Sequence, residues 1–262
     1  MKKTLIALAV AASAAVSGSA MAWTSNGSGG TVDMGGTLTP VTKVTPWEVQ
    51  VGSAVTGMDA DIQKGQTTVS IVTAKAIPVL GIRTQTTETF QGQDGISPQI
   101  NFGSAINIDT IKHGEAELTI DVKNGSGEEK IGTLSAPLLV GAEYSYTGPY
   151  KGKYVMVASK SGDGFFGGLP KDKSRSLSNP YSRIQDINAE YVANYNNQGV
   201  SWSSQNDGFG AWNFTDSAYK YSAYYGSGIE KGKKIKITLN QAASGDTSIQ
   251  WKASLPVTVT YM

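Results

Sequence analysis

Residues 23–40 read WTSNGSGGTVDMGGTLTP, and from Gly30 onward they alternate. Gly30, Val32, Met34, Gly36 and Leu38 share one side of an extended chain, while Thr31, Asp33, Gly35 and Thr37 share the other. A period of two marks a strand with one buried face. The glycines at 29, 30, 35 and 36 work against a self-standing strand, because each gives up much backbone entropy on ordering. The stretch therefore reads as a mobile leading segment that becomes a strand when a groove receives it. On its residues alone a second outcome stays open, in which it is simply this chain's own first strand.

The other end supplies a matching signal. Residues 255–262, LPVTVTYM, set Leu255, Val257, Val259 and Tyr261 on one face, with Pro256, Thr258 and Thr260 on the other. A β-forming, alternating segment of this kind is a candidate edge strand, and an open edge invites another chain to pair with it. A leading segment able to donate a strand and a closing segment able to border a groove are what head-to-tail strand exchange between copies requires.

Upstream of this organisation, Lys2 and Lys3, an apolar run over 5–16 and Ala20-Met21-Ala22 form an export signal, residues 1–22, with a cleavage site at its end. The apolar run is too short to span a bilayer. Taking 22 from 262 leaves 240 residues, enough for one large β domain, and 20 basic against 21 acidic groups, a net charge of −1. That balance argues against nucleic acid as a partner. There is no cysteine and a single histidine, so a zinc site would need carboxylate ligands, and none is expected. Gly 31, Tyr 12 and 39% hydrophobic residues suit an all-β chain rich in turns.

Strands are predicted over 44–51, with Trp47, Val49 and Val51 on one face, and over 67–74, 76–83, 98–102 and 105–111. The clearest lies over 115–122, where Ala116, Leu118, Ile120 and Val122 point inward and Glu115, Glu117, Thr119 and Asp121 face water. Asn124-Gly125 opens a hairpin turn, and 130–141 returns as a strand interrupted by Pro137. Further strands are predicted over 233–240, 248–252 and the closing segment. Many short alternating strands of this kind suggest an immunoglobulin-like β-sandwich.

Residues 144–225 differ, concentrating Tyr, Phe, Gly and Lys, and read as an insertion on that sandwich. Asn179 and Pro180 predict a helix start, with Ile184, Ile187, Tyr191 and Tyr195 on one face. A second short helix is expected over 215–225. The even spacing of Tyr144, Tyr146, Tyr150 and Tyr154 fits rings stacked on one strand face. Such rings also suit sugars, offering an apolar face and a polar edge.

Signals for catalysis are weak. His113 sits between Lys112 and Gly114 without a nucleophile or second base, and reads as an exposed turn residue. Glu115, Glu117 and Asp121 alternate with apolar residues as a solvated strand face does. No paired carboxylates emerge among Asp163, Asp172, Asp186, Glu190, Asp207 and Asp216, which leaves a sugar-active enzyme as a weak option. No enzyme activity, cofactor or metal is expected. An outer-membrane β-barrel is the competing class, although these strand runs are short for crossing lipid.

Several motifs bear a resemblance. The start MKKTLIALAVAASA, the MA-W junction, the G-x-V-D-x-G-G-x-L tail, W-x-V-x-V-G over 47–52, the G-x-x-x-G-x-x-I-x-x-x-x-N-Q-A run over 228–242 and the ending LPVTVTY resemble FaeG-type fimbrial subunits. These build thin, flexible fimbriae of enteric bacteria by the chaperone–usher route. The resemblance implies an incomplete immunoglobulin-like sandwich over 41–262, short of its last strand, with 23–40 as the donor strand. Its groove-facing residues would be Gly30, Val32, Met34, Gly36 and Leu38. Leu255, Val257, Val259 and Tyr261 would line the acceptor groove and be read by the chaperone. The implied partners are identical or related fimbrial subunits, a periplasmic chaperone, an outer-membrane usher and a host carbohydrate receptor, with export through the periplasm to the cell surface. Adhesion would fall to the 144–225 insertion, where Tyr146, Tyr150, Lys153, Tyr154, Phe165 and Phe166 are the candidates. The alternative within the family is a minor, purely structural subunit.

Overall fold

In the computed structural model the described residues are 27, 32, 34–39 and 44–262, and residues 44–262 form one compact unit. The export signal and Gly30 lie outside the described residues. The unit is all-β with one α-helix. Its first strands are β1 (Trp47–Val51), β2 (Thr68–Val72), β3 (Ile77–Thr84), β4 (Phe90–Gln91), β5 (Pro98–Asn101) and β6 (Glu115–Asn124). There follow β7 (Lys130–Thr147), β8 (Lys151–Met156), helix α1 (Pro180–Ile187), β9 (Phe209–Gly210), β10 (Lys220–Ile229), β11 (Lys234–Leu239), β12 (Trp251–Ala253) and β13 (Thr258–Tyr261).

β7 holds the architecture together by changing partners along its length. Its first half pairs with β6 on one side and, over 132–135, with β11 on the other. Its second half pairs with β10 over 139–147 and with β8 over 143–147. Outward from this spine the sheet runs β1-β3-β10-β7-β11-β2, with β12 beside β6, while β13 and β5 make a separate pair. Among the described residues the path ends at β1 and β2 and does not close into a barrel, contrary to the outer-membrane alternative.

Burial follows this change of partners. Along the first half of β7 buried and half-buried residues alternate, but from Leu138 to Ser145 every residue is buried. The cause is α1, which lies over the outer face of the second half only. Ile184, Ile187 and Tyr191 cluster there with Leu139 and Tyr224, apart from the main core of Leu80, Ile82, Val122, Leu138 and the Trp47–Phe165–Phe214 aromatics. Pro180 at the first helical turn is tolerated because the N–H it lacks would have no partner within the helix.

Four expectations need correction. Residues 105–111 form no strand. Asn107 accepts from the Asp109 N–H at 3.0 Å, its carbonyl accepts from Thr110 Oγ1 at 2.7 Å, and the chain turns as a 3-10 helix over Ile108–Thr110. Pro137 does not interrupt β7: pairing with β11 stops at Ser135 and with β10 starts at Leu139, so the proline falls in the gap between two neighbours where no N–H is needed. Residues 215–225 hold no helix, and 220–225 belong to β10. Tyr221 faces the main core and Tyr224 the α1 cluster, so both sides of this strand are apolar and its period is hidden. Val49 and Val51 of β1 are exposed, since this edge strand buries only Trp47. The two ends of the 144–225 segment lie inside β7 and β10.

Candidate functional site

From Trp251 to Met262 half-buried and exposed residues alternate without a break, and none is fully buried. Leu255, Val257, Val259 and Tyr261 pack against the core from the inner side, while Pro256, Thr258 and Thr260 face out. β13 is held on one edge, where Val259 pairs with Ile100 and Tyr261 with Pro98. Two reciprocal bonds of 3.0 Å between Ser97 and Met262 close the ladder. Its second edge has no strand partner among the described residues. Val69 and Ile71 of β2 and Ile120 of β6 are likewise half-buried, whereas Leu80, Ile82, Val122 and Leu138 are at 0% exposure. The core is therefore closed at its centre and thinly covered along part of its wall.

In the leading segment Val32, Met34 and Leu38 are 76%, 92% and 96% exposed. Gly36 is exposed too, and residues 34–39 form no strand. The chain thus presents an apolar row at one end and an undercovered apolar row at the other.

The aromatic residues divide into two sets. Tyr144 and Tyr154 are cross-strand partners in the β7–β8 hairpin, with ring centroids 5.4 Å apart, and Tyr146 stacks beside them at 6.0 Å from Tyr154. Trp212 extends the stack, 6.0 Å from Tyr146. Burial, then the neighbouring Tyr154, pushes the Tyr146 phenol up to about 12. Tyr150 leaves the row and stands 74% exposed at the hairpin tip. Lys153 places its ammonium 4.3 Å from the Trp202 ring centre, and Ser203 Oγ donates to the Tyr154 hydroxyl at 2.7 Å. The hairpin therefore does not gather its candidates at one spot: Tyr146 and the buried Tyr154 lie on its core-facing side, Lys153 on the opposite face and Tyr150 at the tip.

Phe165 lies elsewhere, fully buried against Trp47, Phe214 and Tyr225, and cannot meet a ligand. Phe166 is half-buried next to β5, where its carbonyl accepts from Ile100 N at 2.7 Å. Trp212 joins the tyrosine stack and Trp202 lies over Lys153, yet nothing in their spacing links them to these partners. His113 sits exposed in a turn with φ of 50°.

A family model described as fimbrial, major and minor subunit, matches residues 1–262. The chain belongs to this family of fimbrial subunits. It is 33% identical over 299 residues to K88 fimbrial protein AC of Escherichia coli, with the whole of both chains covered. It is 32% identical over 301 residues to K88 fimbrial protein AD and 30% identical over 280 residues to the F41 fimbrial protein, both of Escherichia coli and both covered in full. A fimbrial subunit associates with related subunits in a surface fibre, so the exposed termini are the first places to look for that contact.

Proposed function

We propose that this fimbrial subunit polymerises by strand donation. Residues 23–40 of one copy lie along the free edge of β13 in the next, setting Gly30, Val32, Met34, Gly36 and Leu38 against Leu255, Val257, Val259 and Tyr261. The observation that carries this reading is the unbroken half-buried alternation over 251–262 beside an unpartnered strand edge. In this reading 41–262 is the acceptor domain. A periplasmic chaperone lends the missing strand during export through the periplasm, and an outer-membrane usher exchanges it for the tail.

Burying Val32, Met34 and Leu38 contributes about 1.5–3 kcal/mol each. Ordering a glycine-rich tail costs about 1–2 kcal/mol per residue. The three anchors alone do not outweigh that cost, so covering the acceptor's half-open core supplies much of the drive. Replacing Val32 or Met34 with Arg is expected to abolish fibres seen by electron microscopy, and normal fibres from these variants would exclude the donor role.

For adhesion to host glycans, the support is the β7–β8 hairpin with Tyr150, Lys153 and Trp202 at its surface. Tyr150→Ala and Lys153→Ala should lose whatever signal the intact fibre gives on a glycan array. A second reading, a subunit that only builds the fibre, is favoured by the rings of Tyr144, Tyr146 and Tyr154 being occupied with one another. Absence of any glycan signal decides for it.

A further inference from the structure

Helix α1 covers the sheet's outer face over the second half of β7 and leaves the first half bare. There a groove of about 1100 Å³ has Ser135, Ala136 and Pro137 of β7 on its floor. Lys234 and Lys236 of β11 line one side, and Lys112 and Arg175 line another. These four cations come from three separate parts of the chain. Gly114 N donates to the Arg175 carbonyl at 2.8 Å, which fastens the two loops that carry Lys112 and Arg175.

Their charge is largely unspent. Among the described residues Lys112, Lys234 and Lys236 have no carboxylate partner. The groove's acids are mostly taken elsewhere: Asp109 by Lys171 at 2.7 Å, and Glu115 by Arg183 and Lys233 at 2.8 Å each. Glu117 is the lining carboxylate without a cation. Arg175 has only a long 3.6 Å contact with Asp172. The chain as a whole is near neutral, at +1, so this is a local concentration of positive charge rather than a general one.

We propose that this groove binds a segment of sulfated polysaccharide. Three free lysines held by a strand and a fastened turn suit a linear ligand with fixed negative charges. The Ser135 hydroxyl can donate to a sugar oxygen, while those of Thr110 and Ser174, which donate to Asn107 and Asp172, can accept from a sugar hydroxyl. His113 also lines the groove, but no Phe, Tyr or Trp does, which disfavours a lipid surface, where large amphipathic rings serve as anchors. The inference goes beyond the fibre reading and does not depend on strand exchange, because every residue in it belongs to one copy.

The test is retention of the purified full chain on immobilised heparin tetrasaccharide and on its fully desulfated analogue. Sulfate-dependent retention is expected, with a log–log salt slope of about −2 to −3 for the charges neutralised. The variant Lys112→Gln/Lys234→Gln/Lys236→Gln should bind about tenfold more weakly or worse. Lys123→Gln/Lys252→Gln, a cross-strand pair of β6 and β12 at the far end of β6, should bind as the parent does. Glu117→Gln, which removes the free carboxylate, should bind more tightly, an outcome that loss of folding cannot imitate. Retention that survives desulfation, equal losses in both lysine variants, or binding to anionic lipid vesicles or lipopolysaccharide but not to the sulfated sugar would overturn the proposal.

Discussion

Glu143 on β7 and Tyr224 on β10 are direct cross-strand partners, and both are cut off from water beneath α1. Burial lifts the Glu143 carboxyl from 4.5 to about 7, offset in part by the Tyr224 hydroxyl and the Lys153 ammonium. Burial also raises the phenols of Tyr195 and Tyr224 around it, and each is raised further by Glu143. The folded-state value lies above the unfolded one, so the unfolded chain gives up its proton first as pH rises. The stabilisation is full below about 4.5 and is lost as pH climbs through about 7. The loss is on the order of 3 kcal/mol at most. Urea unfolding across this window should show it in the parent and not in Glu143→Gln. Parallel pH profiles for the two would remove Glu143 as the cause.

Arg183 ties α1 to two other elements at once. Its Nη2 donates to Glu115 Oε1 at 2.8 Å and to Glu230 Oε2 at 2.6 Å, and its Nε donates to Glu230 Oε1 at 2.7 Å. Lys233 Nζ closes the set on Glu115 at 2.8 Å. These groups are partly exposed, so the expected cost of Arg183→Met is about 1–2 kcal/mol rather than that of a fully buried pair. Arg183→Lys should recover little, because a single ammonium cannot reproduce the fork. Thermal melting with and without added salt checks both: an unchanged Arg183→Met melt would show that packing alone holds the helix.

Tyr191 lies across Gly81 of β3 and Gly226 of β10, which are themselves cross-strand partners. A Cβ on Gly81 would overlap the Tyr191 ring, and one on Gly226 would overlap Ile184. Gly81→Ala is therefore expected to cost about 1–3 kcal/mol by displacing the segment that carries the ring. Hydrogen exchange should become faster over 180–192 and stay unchanged in β6. Uniform behaviour across the chain would contradict a local origin.

These contacts mark where the sequence could be read and where it could not. β6 was legible because one face meets the core and the other meets water, so Ala116, Leu118 and Val122 stand out from Glu117 and Asp121. α1 announced itself through Pro180 and the spacing of Ile184, Ile187 and Tyr191. Strands roofed on both sides gave no such contrast, and Tyr221 and Tyr224 of β10 imitated a helical spacing. Pro137 misled because its tolerance depends on a gap between β11 and β10 that only the assembled sheet defines. In the β7–β8 hairpin, the tyrosine row was visible in the spacing. Trp212 reaches it from far along the chain, and Phe165 was drawn into the core by contacts with Trp47 and Phe214 that no local pattern encodes.

The last two residues offer the sharpest check on the closing strand. Tyr261 pairs with Pro98, and Met262 exchanges two backbone bonds with Ser97, so deleting both removes the end of the β5–β13 ladder. Each lost bond is worth about 0.5–1.5 kcal/mol, and the half-buried Tyr261 ring adds its share of apolar cover. If a chaperone reads this strand by its alternating residues, the truncated subunit should fall in amount in the periplasm beyond what destabilisation explains. The two effects separate on measurement. Denaturant unfolding of a subunit whose groove is filled by a fused copy of residues 29–40 gives the stability loss alone. Co-purification with the chaperone gives recognition. Unchanged periplasmic levels would leave Tyr261 as an ordinary wall residue, with the chaperone's contact lying elsewhere on the strand.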